Sequence, residues 1–97
     1  MAVNGYNDSV LETESGVCFF CGLHCDTARH EIYYGTANRQ KAKLYGYWVN
    51  ICPKHHREAH KEPNTGVDLW LKQTGQIEWE KRSTRDAFIK VWGRSYL

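Results

Sequence analysis

Apolar residues in the first half of the chain occur in two short runs, and those in the second half recur at helical spacing. Alternation around Ile32 predicts a strand over 28–34. The aromatic and β-branched run that follows Gly46 predicts a second strand over 47–51. The polar stretch 38–45 between them favours a short helix that Gly46 ends. The pattern therefore predicts an α+β fold with two short strands.

The remainder of the chain is predicted to be helical. Pro53 and the good helix formers after it indicate a helix over 53–61. Thr65 and Ser83, each followed three residues later by Asp, are expected to cap two further helices, and Gly93 is expected to end the last one. We expect the aromatic residues of these helices to belong to the core. They are Trp70, Trp79, Phe88 and Trp92.

The length of the chain limits its organisation. A chain of 97 residues forms one domain at most, so a staple is worth looking for. Residues 1–16 are polar and are predicted to be a partly flexible lead-in, with one short helical turn around 9–14. Residues 17–62 are predicted to be the core, and 63–97 a helical extension packed on it.

The net charge of the chain and its expected cellular compartment limit the functions that it can have. A formal net charge of +2 is far from the strongly basic composition of a dedicated nucleic-acid binder, although it does not exclude DNA. No stretch is apolar enough to span a bilayer, and the first ten residues lack the features of a secretory signal. We therefore expect a cytoplasmic protein. Cytosolic thiols stay reduced, so the four Cys and five His are better explained as metal ligands than as disulfides.

Two short pairs of soft or borderline ligands, far apart in sequence, are the strongest motif. This is the usual way to build a tetrahedral structural zinc site. The predicted ligands are Cys18, Cys21, Cys52 and His55. Gly22 allows the tight turn that two converging thiolates need. His24 and Cys25 compete for a place in the set, but neither forms a second pair, and we interpret Cys25 as a small apolar or outer-shell residue.

A second candidate site lies on the same predicted helix. His56 and His60 are four residues apart, so their imidazoles point the same way and form half of a site for a divalent ion. This face lies about 100° around the helix from the one that Cys52 and His55 use. Two exposed histidines at this spacing also occur by chance. His30 and Glu31, on the strand after the CxxC motif, can complete the site with a ligand and a nearby acid or base.

With these motifs in register, the chain resembles the HNH nucleases, whose ββα-metal core is built on a zinc-bound treble-clef scaffold. It is most similar to small HNH-type proteins of phages and prophages of Gram-positive bacteria, through RHEIYYGTANRQKAKLYGYWVNICPKHH and the ending DAFIKVWGRSYL. The resemblance covers roughly residues 17–97. It implies a metal-dependent DNA endonuclease or nickase acting in phage or prophage DNA processing or recombination.

The resemblance also implies roles for individual residues. His56 and His60 match the helix ligands of a catalytic ion, usually Mg²⁺, Mn²⁺ or another divalent ion. His30 and Glu31 occupy a pair that commonly reads His-His or Asp-His. In one register His30 is a ligand and Glu31 the general base. In the register shifted by one, His30 is the base and Arg29 stands at the ligand position, where it has no lone pair to offer.

The family's asparagine is harder to place. Its usual position falls near Tyr47, so Asn38 or Asn50 would have to substitute for it, and Asn38 is our candidate catalytic residue. The basic residues beside Asn38 are candidates for contacts to backbone phosphates, with a solvated helix face as the alternative. They are Arg39, Lys41 and Lys43. Tyr33 and Trp48 could stack on bases but are more simply core.

Two functions remain open from the sequence. The first is the nuclease, in which an activated water attacks phosphorus while the ion stabilises the developing charge. The second is a catalytically inactive zinc-binding module that recognises nucleic acid or protein, since the His-His pair and the asparagine are missing. In either case the aromatic-rich C-terminus is a candidate surface for a homodimer.

Overall fold

The structure is a computed structural model that describes residues 6–97. This part of the chain contains two short strands and four helices. Strands β1 (Ala28–Glu31) and β2 (Trp48–Ile51) pair antiparallel, with Ala28 opposite Ile51 and Glu31 opposite Trp48. The helices are α1 (Thr36–Tyr45), α2 (Pro53–Lys61), α3 (Gly66–Glu80) and α4 (Arg85–Trp92). The fold class is therefore α+β, as predicted. No helix among the described residues is both long and apolar enough to cross a membrane.

Most predicted elements are confirmed, with shifted ends. Helix α2 has the predicted bounds, because Pro53 is compatible with the first turn that follows the extended Cys52. Strand β1 ends at Glu31, three residues before the predicted end, and α1 begins two residues earlier than predicted. In a half-buried strand, successive side chains alternate between the core and the surface. Ile32 and Tyr33 are consecutive and both buried, so this alternation ends after Glu31.

The helix caps differ from the predicted ones in detail. The α4 cap is Thr84 and not Ser83, because the Thr84 hydroxyl accepts a hydrogen bond from the Ala87 N–H at 3.1 Å. Thr65 is at the N-cap of α3, but its side chain accepts no capping hydrogen bond. Gly93 ends α4 in the left-handed conformation, as predicted.

The predicted helical turn around 9–14 is wrong, because this segment is extended and runs beside β2. The Ser9 hydroxyl donates to the Trp48 carbonyl at 2.7 Å, and the Thr13 hydroxyl accepts from the Asn50 N–H at 2.9 Å. Val10 N–H donates to the Gly46 carbonyl at 2.9 Å. The first two bonds use backbone groups of β2, and the third joins the segment to Gly46, just before β2. Residues 1–5 of the predicted lead-in lie outside the described residues.

The core lies between the sheet and the two C-terminal helices, around the buried Tyr33. Its ring lies 4.5 Å from that of Trp92 and 5.4 Å from that of Phe88, and its hydroxyl donates to the Lys72 carbonyl at 2.7 Å. Tyr33 is therefore a core residue and not a base-stacking surface. Phe88 and Trp92 are buried within the chain, so they form no exposed dimer surface, and a homodimer stays a prediction.

Not every apolar residue of the helical extension is in the core. Trp70 is 42% exposed, which makes our expectation for this residue wrong, and Ile77 is 51% exposed. Both lie on α3, seven residues apart and so on the same side of the helix. The core side of α3 instead carries the buried Leu71 and Gly75, and Gly75 faces Tyr33.

Candidate metal centres

The first centre begins with a tight turn around Cys18 and Cys21. Gly22, with φ of 78°, donates its N–H to the Cys18 carbonyl at 2.8 Å, and Cys18 N–H donates to the Leu23 carbonyl at 2.9 Å. The turn also places the Cys21 N–H 3.5 Å from the Cys18 sulfur. Both thiols are thereby presented on one side of the turn, as the CxxC spacing predicts.

Helix α2 supplies the other two members of this centre. Cys52 precedes the helix in extended conformation, and His55 lies one turn later, with its Nδ1 3.1 Å from the Cys52 Sγ and 3.9 Å from the Cys18 Sγ. One side-chain atom from each of Cys18, Cys21, Cys52 and His55 lies within 4.8 Å of all the others. These four residues could hold a metal ion.

Hydrogen bonds prepare Cys18 for this role. Burial raises the pKa of its thiol, but hydrogen bonds from the backbone of Cys21 and Cys52 and from the His55 side chain outweigh it and lower the pKa to about 6. The thiolate, which is the form that binds metals, is therefore accessible at neutral pH.

The two competing residues lie outside this centre. Cys25 is half-buried against the core, and its N–H donates to the Gly16 carbonyl at 3.0 Å. His24 is exposed and pairs with Val17 through its backbone. Neither belongs to the group of four ligand atoms, in line with our interpretation of Cys25 as a small apolar residue.

The second centre is a cluster of three histidines, His30, His56 and His60. The Nε2 atoms of His56 and His60 lie 3.2 Å apart on one face of α2. The His30 ring reaches them from β1, with centroid distances of 5.2 Å to His56 and 5.0 Å to His60. One ring nitrogen from each of the three lies within 4.8 Å of the others, so this group too could hold a metal ion.

His30 is the unusual member of the cluster. It is only 1% exposed, yet neither of its ring nitrogens has a hydrogen-bond partner among the described residues. Buried polar atoms are nearly always paired, so an unpaired buried imidazole facing two other imidazoles favours a ligand shared by the three rings. Burial, and then the charges that His60 and His56 can carry, lower the pKa of His30 to about 3. Its ring is therefore neutral at physiological pH and keeps a lone pair for a metal.

A cavity of about 190 Å³ opens beside this cluster. It is lined by Arg29, Glu31, Tyr34, Arg39, His56 and His60. Of the two candidate ligands left open by the sequence, the structure brings His30 into the group of ring nitrogens with His56 and His60. Arg29 lines the same cavity, and its guanidinium carbon lies 4.7 Å from the Trp48 ring centroid.

Glu31 is held from two sides at the edge of this cavity. One carboxylate oxygen accepts a hydrogen bond from the Tyr6 hydroxyl, and the other lies 3.5 Å from the Arg39 Nε. Burial, followed by the bond to Glu31 and its charge, raises the pKa of Tyr6 to about 12. Sequence reasoning missed Tyr6, because it lies 25 residues before Glu31 in a segment without a recognisable motif.

Tyr34 connects the cluster to a buried ion pair. Its ring centroid lies 5.8 Å from that of His30 and 5.2 Å from that of His60, and its hydroxyl donates to Asp68 at 2.9 Å. Asp68 in turn pairs with Lys72 at 2.8 Å, and both are buried. This chain of contacts fixes the Tyr34 ring against the two histidines. The sequence suggested Asp68 only as a helix-capping residue. No sequence motif links it to Tyr34, which lies 34 residues away.

Three of the remaining candidates lie away from the cavity. The Asn38 amide donates to the Trp92 carbonyl at 3.0 Å, and the Lys41 ammonium donates to the Val91 carbonyl at 2.8 Å. Both residues thus bind the C-terminal end of α4, and the structure does not bring Asn38 to the histidines. Asn50, the alternative, is buried in β2 and does not line the cavity either. Of the basic residues on α1, only Arg39 lines it.

Comparisons with known proteins identify no relative. No protein-family model matches the sequence, no curated protein matches it, and no solved structure matches the fold. Any function for the chain has to be inferred from the geometry of the two clusters and of the cavity beside the second one.

Proposed function

We propose that the chain is a metal-dependent DNA endonuclease or nickase of the HNH type, which hydrolyses phosphodiester bonds at the histidine cluster. The single observation that carries this proposal is His30. A buried imidazole with two unpaired nitrogens is costly for stability, and a divalent ion shared with His56 and His60 would pair one of them.

A zinc ion in the first centre would serve as the scaffold of this site. Three thiolates and one imidazole are a donor set typical of structural zinc. Bonds of about 2.3 Å to sulfur and about 2.0 Å to nitrogen in a tetrahedron place an imidazole nitrogen roughly 3.5 Å from each sulfur. The separations of 3.1 Å and 3.9 Å between the His55 Nδ1 and two of the sulfurs lie on either side of this value. The CxxC turn, the β1–β2 pair and the N-terminus of α2 would then correspond to a treble clef.

The nitrogen ligands of the histidine cluster favour ions other than Mg²⁺. Mg²⁺ prefers oxygen ligands, whereas three neutral imidazoles favour first-row transition-metal ions, with an affinity that rises from Mn²⁺ through Co²⁺ to Ni²⁺. Three protein ligands leave further positions for water and for a phosphate oxygen. We therefore expect Mn²⁺ to support activity better than Mg²⁺.

The roles of the other residues follow from their places around the cavity. The bound ion would stabilise negative charge on the phosphoryl and leaving oxygens. Glu31 would accept the proton of the attacking water. Its two carboxylate oxygens offer about four lone-pair positions, and Tyr6 and Arg39 occupy two of them, so acceptor capacity remains. Tyr6 and Arg39 would keep the carboxylate pointing at the cavity.

Nicking of supercoiled plasmid DNA tests the proposal. The zinc-loaded protein is expected to nick with Mn²⁺, and His56→Ala is expected to abolish nicking while the zinc content stays at one per chain. His24→Ala is the matched control, because His24 is exposed and outside both clusters. Absence of nicking with every divalent ion tried, or equal nicking by His56→Ala, would exclude the nuclease.

A second function, a zinc-binding module that recognises nucleic acid or protein without chemistry, is favoured by the position of Asn38. Its amide is engaged with Trp92, so the cavity lacks the asparagine that the HNH resemblance implies. This alternative predicts one zinc per chain and no binding of Mn²⁺. Metal analysis together with the plasmid assay therefore separates the two functions.

A further inference from the structure

We propose that Arg29 and Arg39 form a phosphate-binding subsite beside the histidine cluster, which holds a backbone phosphate of the nucleic-acid strand next to the one that is hydrolysed. This inference rests on the proposed function for its substrate class. The resemblance gives Arg29 no role in the register where His30 is the ligand, and the subsite gives it one. Of the three basic residues of α1 that the sequence suggested for phosphate contacts, the subsite keeps only Arg39.

Arg29 is held by aromatic rings and not by an acidic partner. Its guanidinium carbon lies 4.8 Å from the ring centroid of Tyr6 and 4.7 Å from that of Trp48. These two rings meet edge to face at 83°, so they form a corner that contains the guanidinium. Cation–π contacts of this kind orient an arginine and leave its N–H groups free.

The charge of Arg29 is not neutralised within the described part of the chain. Arg29 forms no ion pair with any carboxylate of residues 6–97. Arg39 pairs with Glu31 only through its Nε, and its side chain is 52% exposed, so its terminal nitrogens remain available. Two guanidinium groups and one carboxylate therefore line this cavity, so the net charge of these three side chains is positive.

The position of this positive charge indicates the ligand. Both arginines line the cavity that His56 and His60 also line, so an anion bound by them lies beside the candidate catalytic ion. Guanidinium groups bind phosphate oxygens in bidentate fashion with short, charge-assisted hydrogen bonds. A phosphate contact positions the strand but carries no sequence information. The subsite is therefore expected to promote cleavage without sequence preference.

The other basic residues of α1 are less suited to this role. Lys41 donates to the Val91 carbonyl on the far side of the helix. The Lys43 ammonium lies 5.3 Å from the centroid of the Tyr6 ring, on which Arg29 also stacks, but Lys43 does not line the cavity. The pair Arg29 and Arg39 is thus the part of the basic surface that lies closest to the candidate chemistry.

The salt dependence of DNA binding tests the subsite directly. A fluorescein-labelled duplex is titrated with zinc-loaded protein, without added Mn²⁺, over a series of NaCl concentrations. Arg29→Gln is expected to weaken binding about fivefold to tenfold and to lower the slope of log K against log salt by about one. Arg94→Gln is the matched control, because Arg94 also stacks on a tyrosine, Tyr96, but does not line the cavity.

The outcomes separate this inference from the proposed function. Equal affinity and slope for Arg29→Gln and the unaltered protein would overturn the subsite, as would an equal loss in Arg94→Gln. A changed slope in a protein that nicks nothing supports the subsite and excludes the nuclease. If Arg29→Gln does not fold, the more exposed Arg39→Gln is measured instead, and an unchanged slope in that variant overturns the subsite.

Discussion

His55 and His56 are neighbours in the chain, but their side chains belong to two different clusters. The His55 Nδ1 lies 3.1 Å from the Cys52 Sγ, whereas the His56 Nε2 lies 3.2 Å from the His60 Nε2. Consecutive residues of an α-helix point about 100° apart, so a single turn of α2 serves both clusters. The ligands that fix the rotation of α2 at the first cluster therefore also fix the direction of His56 and His60.

This relationship predicts that scaffold and site can be separated by substitution. Cys52→Ser is expected to abolish both folding and activity, because the free energy of binding a structural zinc is folding free energy in so small a domain. His56→Ala is expected to lose activity alone. Near-UV circular dichroism and metal content distinguish the two variants. A Cys52→Ser protein with native dichroism and no zinc would contradict the role of the first centre.

His30 is expected to lower the stability of the protein when the second ion is absent. Replacing it by Leu removes two buried, unpaired nitrogens at similar volume, so His30→Leu should raise the free energy of unfolding by about 1–2 kcal/mol. The variant should also lose binding of Mn²⁺ or Co²⁺. Urea unfolding and calorimetric titration measure the two effects.

The matched control for His30→Leu is His60→Leu. His60 is exposed, so this variant should lose the second ion without a gain in stability. A His30→Leu protein that is less stable than the unaltered one would show that the buried imidazole is already hydrogen-bonded in the metal-free protein. That result would contradict a role for its unpaired nitrogens in binding a metal.

Glu31 is expected to act in the chemical step and not in binding the second ion. Glu31→Gln should lower the single-turnover nicking rate about 10²–10⁴-fold, the range typical of a general base, and leave the affinity for Mn²⁺ nearly unchanged. Glu62→Gln is a suitable control, because Glu62 is an exposed carboxylate at the end of α2 that does not line the cavity. A rate unaffected by Glu31→Gln would assign the base to another group.

Gly75 is expected to be required by packing, although it lies in the middle of a helix. A Cβ at this position would lie 2.5 Å from the Tyr33 hydroxyl oxygen, which is held by its bond to the Lys72 carbonyl. Gly75→Ala should therefore destabilise the protein by about 1–3 kcal/mol despite a gain of about 1 kcal/mol in helix propensity. Urea unfolding measures the difference. The loss should be smaller in a Tyr33→Phe background, where the colliding hydroxyl is absent.

Local chemistry was enough to predict the helix that carries most of the candidate ligands. Pro53 and the helix formers after it set the bounds of α2, and spacings of three and four residues place His55 near Cys52 and His60 near His56. These relationships depend on neighbours in the chain and on the geometry of one helix turn. For that reason the sequence alone identified both candidate ligand sets.

The surroundings of the second cluster were decided by tertiary structure. Tyr6 reaches Glu31 across 25 residues, Tyr34 reaches Asp68 across 34, and Asn38 is drawn to Trp92 across 54. Such contacts depend on strand pairing and on how the helices pack, which no local pattern encodes. The sequence by itself therefore determined which residues can bind metal, and only the packed fold decided which other residues stand beside them.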